Sequence, residues 1–73
     1  MLQDLIDRVI EEEKVAKAKW GHMDRTPNDL LNAATEELGE VAHAINHNEG
    51  KAAMQQEIVE AVGVLARLWE MVD

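Results

Sequence analysis

Apolar residues recur along this chain at spacings of three and four, the mark of one face of an α-helix. Over residues 2–20, Leu2, Leu5, Ile6, Val9, Glu13, Ala16 and Trp20 fall in phase, and all but Glu13 are apolar. Asp4, Asp7, Arg8, Glu11, Glu12 and Lys14 back this stripe on the opposite side, and Gly21 supplies a stop. Residues 22–25 are short and polar and read as a connection. A second helix is predicted over 27–47, with Thr26 as N-cap, Pro27 at the first helical position and Asn28-Asp29 in the first turn. Leu30, Leu31, Ala34, Leu38, Val41 and Ile45 make its apolar face. A third helix is predicted over 51–72. One of its stripes is Met54, Ile58, Val62, Leu65, Trp69 and Val72; another is Ala61, Val64, Leu68 and Met71.

The stretch His47-Asn48-Glu49-Gly50 is a turn, with Gly50 available for a left-handed position. A connection this short makes the second and third helices antiparallel neighbours. A third helix apolar over two stripes needs two sets of neighbours, more than one chain of three helices supplies. The expected fold is therefore all-α: a single domain over residues 1–73 that completes a helical bundle by dimerisation, or as a dimer of dimers.

Composition sharpens that expectation. A 73-residue chain is near the size below which a single core needs help from disulfides, metals or oligomerisation. There are no cysteines, which removes disulfides and thiolate zinc sites. The formal net charge of −8 repels nucleic-acid backbones, so a polymeric nucleic acid is not an expected partner. A small phosphorylated ligand stays compatible when cations screen it. No run approaches the ~18 apolar residues of a membrane span, and the acidic N-terminus is unlike a targeting peptide. The reading is a cytoplasmic protein with no membrane partner.

Candidate chemistry lies in four glutamates. Glu37 and Glu40 are three apart on the second helix, and Glu57 and Glu60 are three apart on the third; each pair projects from nearly one face. Antiparallel packing brings the pairs to similar heights. Glu57 falls in line with Ala53, Ala61, Val64 and Leu68, and Glu37 borders Ala34, Val41 and Ala44. Carboxylates crowded between packed helices repel and lose hydration unless protonated or neutralised by cations. Mg²⁺, with Mn²⁺ as a substitute, suits an all-oxygen set. The bland alternative is an acidic rim around a bundle interface. His43 and His47, spaced i,i+4, have metal-ligand spacing on the polar side of their helix. Trp20 is read as core or as a base-stacking residue, Trp69 as core or subunit interface.

The run Glu36-Glu37-Leu38-Gly39-Glu40-Val41, followed after the turn by Glu57-Ile58-Val59-Glu60, resembles the Glu-Glu-x-x-Glu and Glu-x-x-Asp signature of the MazG-like all-α nucleotide pyrophosphohydrolases. The segment Lys19-Trp20-Gly21 is similar to small members as well, and the likeness spans roughly residues 14–70. It implies Mg²⁺-dependent hydrolysis of a nucleoside triphosphate, such as a noncanonical nucleotide, to the monophosphate and pyrophosphate, by a homodimer or homotetramer. It implies Glu37, Glu40, Glu57 and Glu60 as metal ligands, with Glu37 or Glu40 also orienting or deprotonating the attacking water. Glu36 lies farther from the core by helical phase. Lys17 and Trp20 are candidate nucleotide contacts; Arg67 is the only cation beyond Lys51, and Lys14, Lys17, Lys19 or Arg25 could supply the remaining charge for the phosphates. Glu60 stands where the pattern carries Asp. Another pyrophosphate-linked metabolite, such as phosphoribosyl-ATP, is a related substrate. A catalytically inactive bundle used for assembly or partner binding is the alternative.

Overall fold

The computed structural model describes residues 1–21 and 25–72, and within them every side chain but that of Trp20. Three α-helices account for nearly all of it: α1 (Leu2–Trp20), α2 (Pro27–Asn46) and α3 (Lys51–Met71). The ends agree with the periodicity to within a residue. The start of α2 is set by a capping box. Asp29 N–H donates to Thr26 Oγ1 at 3.1 Å, and Thr26 N–H donates back to Asp29 Oδ2 at 3.0 Å, which satisfies donors the helix itself leaves open. The Thr26 backbone N–H that donates to it holds the Asp29 carboxyl below its ordinary range, and the Thr26 hydroxyl adds to the effect.

At the α2–α3 turn the left-handed position falls to Asn48 (φ 49°), while Gly50 takes φ 103° with an extended ψ of 157°. Asn tolerates the left-handed well; the Gly50 conformation is one that a side chain would disfavour. The turn folds α3 back along α2. α3 is the central element, packed on α2 along one side and on α1 along another, while among the described residues α1 and α2 make no close backbone approach.

The core is small. Leu30, Ala34 and Ala44 of α2 and Val59 and Val64 of α3 are buried, with Ala33 and Leu68 packed against the Leu30–Ala34–Val64 cluster. The single apolar face expected for the second helix divides in two. Positions 30, 34, 37, 41 and 44 turn toward α3, whereas Leu31, Leu38 and Ile45 lie one residue, or about 100°, further round and are exposed, Leu38 at 65%. On α3 the stripe of Ile58, Leu65, Trp69 and Val72 is likewise exposed, Trp69 at 71%. Trp69 is therefore not a core residue of the chain. α1 meets α3 at Gln56, Gly63 and Arg67, and the exposed stripe is close to half a turn away from these. By helical phase the two exposed stripes share one side of the α2–α3 hairpin, the side opposite α1.

The first helix departs from its predicted stripe at Leu2 and Ile6, which are exposed; Leu5, Val9, Glu13 and Ala16 are half-buried as the stripe requires, and Glu12 joins them on the face toward α3. Glu12 and Arg8, expected on the solvent side, both reach Gln56 of α3. No helix among the described residues is long and apolar enough to cross a membrane.

Candidate metal centre

Glu37 occupies the inward row of α2 between Ala34 and Ala44, and Glu57 and Glu60 stand almost one turn apart on the facing side of α3. One carboxylate oxygen from each of these three side chains lies within 4.8 Å of the others. Glu37 Oε2 is closed to solvent, and no hydrogen-bond donor among the described residues reaches it. Burial pushes the Glu37 carboxyl above its ordinary range, and the charges of Glu60, Glu57 and Glu40 add to the effect. Glu57 is raised in the same direction, first by desolvation and then by Glu60 and Glu40.

Of the four expected ligands, the structure thus brings together Glu37, Glu57 and Glu60. Glu40 is exposed and stands outside the triad, near enough for its charge to act on two of the three members. Glu36 is exposed, as its helical phase predicts. The extra methylene of Glu60 does not carry it away from the group, since it shares the 4.8 Å cluster.

A wall from α1 completes the surroundings. Gln56, just over one turn before Glu60, donates from Nε2 to Glu60 Oε1 and to Glu12 Oε2, both at 3.2 Å. Its carbonyl oxygen accepts from Arg8. One amide therefore ties a triad member to two residues of α1. About two turns beyond Glu60, Arg67 Nε lies 3.0 Å from Glu13 Oε2, without the alignment of a hydrogen bond. Gly63 makes this approach feasible: a Cβ there would come within 2.7 Å of Glu13 Oε1. Burial raises the Glu13 carboxyl, Arg67 opposes that shift, and Glu70 and Glu12 reinforce it.

Between the three helices lies a cleft of about 230 Å³, lined by Glu12, Glu13, Lys19, Glu37, Glu60 and Arg67 among others. It adjoins a larger cleft of about 740 Å³, through the shared residues Glu13, Ala16 and Arg67. The larger cleft mixes apolar residues, such as Val9, Leu30 and Met71, with the cations Lys14, Lys17 and Arg25. Lys17 thus lines a cleft next to the carboxylates, whereas the side chain of Trp20 lies outside the described residues.

The donor set consists of carboxylate oxygens alone, with one buried oxygen that no donor among the described residues reaches. Such a set fits a hard divalent cation, which takes oxygen ligands and offsets the repulsion of clustered carboxylates. The residues that spacing alone missed belong to α1 and its contact. Glu13 carried a signal, a charged side chain in phase with an apolar stripe. Gly63, a glycine within a helix with neither end nearby, carried another. Glu12 and Gln56 carried none, because their role depends on how α1 is rotated against α3. No family model, no curated protein and no solved structure matches the chain.

Proposed function

We propose that the chain is a Mg²⁺-dependent nucleotide pyrophosphohydrolase that acts on a nucleoside triphosphate as a homo-oligomer. The observation that carries the reading is the triad itself: three carboxylates drawn from two helices to within 4.8 Å, with Glu37 Oε2 buried and reached by no donor among the described residues. Glu37, Glu57 and Glu60 would hold the cation, with Glu40 at their rim, and Mn²⁺ would substitute. When bound, the ion would polarise phosphate oxygens and lower the pKa of a water. The chemistry is attack of water on the α-phosphorus. A new P–O bond forms, the bond from the α-phosphorus to the bridging oxygen breaks, and pyrophosphate leaves with that oxygen.

The chain's own groups supply the remaining needs. Glu40, exposed beside the triad, or a Glu37 oxygen not engaged by metal, takes the proton from the attacking water. Arg67 and Lys19 at the small cleft, with Lys14, Lys17 and Arg25 beyond it, offset the negative charge of the phosphate chain. The apolar part of the larger cleft suits the nucleoside. Noncanonical nucleotides are the substrate class that fits a house-cleaning role.

The test combines binding with turnover. Thermal melting of the full chain during a Mg²⁺ or Mn²⁺ titration is expected to show a rise in Tm that Glu37→Gln and Glu57→Gln abolish. Pyrophosphate release is expected from at least one member of a nucleoside triphosphate panel, and Glu37→Gln and Glu40→Gln should remove it. Folded, metal-loaded protein that releases no pyrophosphate across the panel would refute the enzymatic reading. The exposed apolar side of the α2–α3 hairpin favours a second reading, a bundle module used for assembly. On that reading, replacing all four glutamates leaves assembly intact and metal has no effect on the melting curve.

A further inference from the structure

One amide, that of Gln56, stands between the carboxylate triad and α1, and both of its polar atoms are engaged. Gln56 Nε2 donates to Glu60 Oε1 and to Glu12 Oε2, both at 3.2 Å. Gln56 Oε1 accepts from Arg8 Nη2. We propose that Gln56 is a positioning residue of the metal centre: by engaging Glu60 Oε1 it holds Glu60 as a one-oxygen ligand, and so sets a preference for Mg²⁺ and Mn²⁺ over Ca²⁺. The proposal rests on the triad holding a divalent cation, and not on the hydrolysis.

The surroundings leave this amide one orientation. An ionised carboxylate only accepts and a guanidinium only donates. A flipped amide would turn its oxygen toward Glu12 and Glu60 and its N–H groups toward Arg8, and all three bonds would be lost. A glutamine four residues before a glutamate can make such a bond on any helix; the contacts from α1 set this one apart. Gln55 beside it is exposed, whereas Gln56 is half-buried and tied to side chains 44 and 48 residues away. Glutamine also suits the place by its charge. It orients Glu60 without adding a positive charge, so the three carboxylates keep their full attraction for a cation. A lysine there would cancel part of it.

Selectivity follows from how many oxygens each glutamate offers. Mg²⁺ demands near-ideal octahedral geometry at about 2.0–2.1 Å, whereas Ca²⁺ takes about six to eight oxygens in flexible geometry, often both from one carboxylate. With its Oε1 accepting from Gln56, Glu60 has one oxygen left to give, in a fixed plane. That arrangement suits the smaller, stricter ion. Released from the amide, Glu60 would be free to turn both oxygens toward a larger one. Groups that hold a ligand from behind in this way typically govern metal affinity by roughly 10–100-fold.

The experiment titrates the full chain by calorimetry with Mg²⁺ and, separately, with Ca²⁺. Gln56→Met keeps the length and helix preference of glutamine without its polar atoms, and circular dichroism without cation checks that it folds. It should weaken Mg²⁺ binding by roughly 10–100-fold and Ca²⁺ binding by less, so that the preference for Mg²⁺ falls. Arg8→Met, at an exposed position on α1, should move the ratio the same way by a smaller factor, because the amide is then free to turn. Gln55→Met should leave the ratio unchanged. In Glu60→Asp the carboxylate is a methylene short of the amide, and adding Gln56→Met should then change the ratio little. An unchanged Mg²⁺ to Ca²⁺ ratio in folded Gln56→Met would overturn the proposal and leave the metal centre standing. Should Gln56→Met not fold, the ratio in Arg8→Met decides. A wild type that binds neither ion would overturn the proposal and the metal centre together.

Discussion

At the scale of single residues, the centre is defined by carboxylates that stay put although their charges oppose one another. Glu37 and Glu57 have carboxyls raised above the ordinary value of 4.5 by burial and by neighbouring glutamates, and Glu13 is raised mainly by burial. A group that binds its proton more tightly in the folded state stabilises that state when protonated. The contribution is present in full below the unfolded value near 4.5 and is lost as pH rises through the elevated folded value. The metal-free protein should therefore gain stability as pH falls from neutral toward that value. Urea unfolding across this window measures the slope, and Glu37→Gln should flatten it by removing one raised carboxyl. Saturating Mg²⁺ should flatten it too, because cation and proton compete for the same oxygens. An apo protein that loses stability steadily on acidification, with Glu37→Gln showing the same slope, would mean that the triad is not strained by its own charge.

At the scale of elements, local signals account for most of what the chain reveals before folding. Thr26, Pro27 and Asp29 announce the start of α2, and their capping box is in place. Thr26→Ala should cost about 1 kcal/mol, read from the shift of the unfolding midpoint at unchanged m; no change would show that the first turn is not part of the cooperative unit. The lengths of the helices, the antiparallel return at Asn48–Gly50 and the meeting of Glu37 with Glu57 and Glu60 all follow from period and turn length. What period cannot convey is which apolar stripe meets which neighbour. Leu30 and Leu31 are adjacent and chemically alike, yet one is buried and the other exposed, because only the rotation of α2 about its axis separates them. The same holds on α1, where Glu12 turns toward Gln56 and Ile6 away. That rotation is set by contacts such as Glu13 over Gly63, which arise between distant segments.

At the scale of the whole molecule, the exposed apolar surface outweighs the core. Among the described residues five apolar side chains are buried, while Leu31, Leu38, Ile45, Ile58, Leu65, Trp69 and Val72 leave the side of the hairpin opposite α1 open to solvent. The stripes 31, 38, 45 and 58, 65, 72 each repeat every seven residues, the spacing that lets paired helices keep one seam in register. Large exposed apolar faces are typical of association surfaces, and small domains commonly gain stability from association. The expected partner is a second copy, whose α2 and α3 would complete a four-helix core and leave α1 and the carboxylate cleft outside it. Light scattering after size exclusion should give a dimer or a multiple of it. Leu38→Glu should shift the mass to a monomer and lower the Tm, because folding and association are then uncoupled. Leu2→Glu, equally exposed but on α1, should leave the mass unchanged. Trp69 offers a second readout, since burial at the seam shifts its fluorescence to shorter wavelength and Leu38→Glu should reverse that shift. A wild-type monomer at tens of micromolar, with Trp69 emission typical of water, would contradict the assembly; a Leu38→Glu dimer would place the interface on another face.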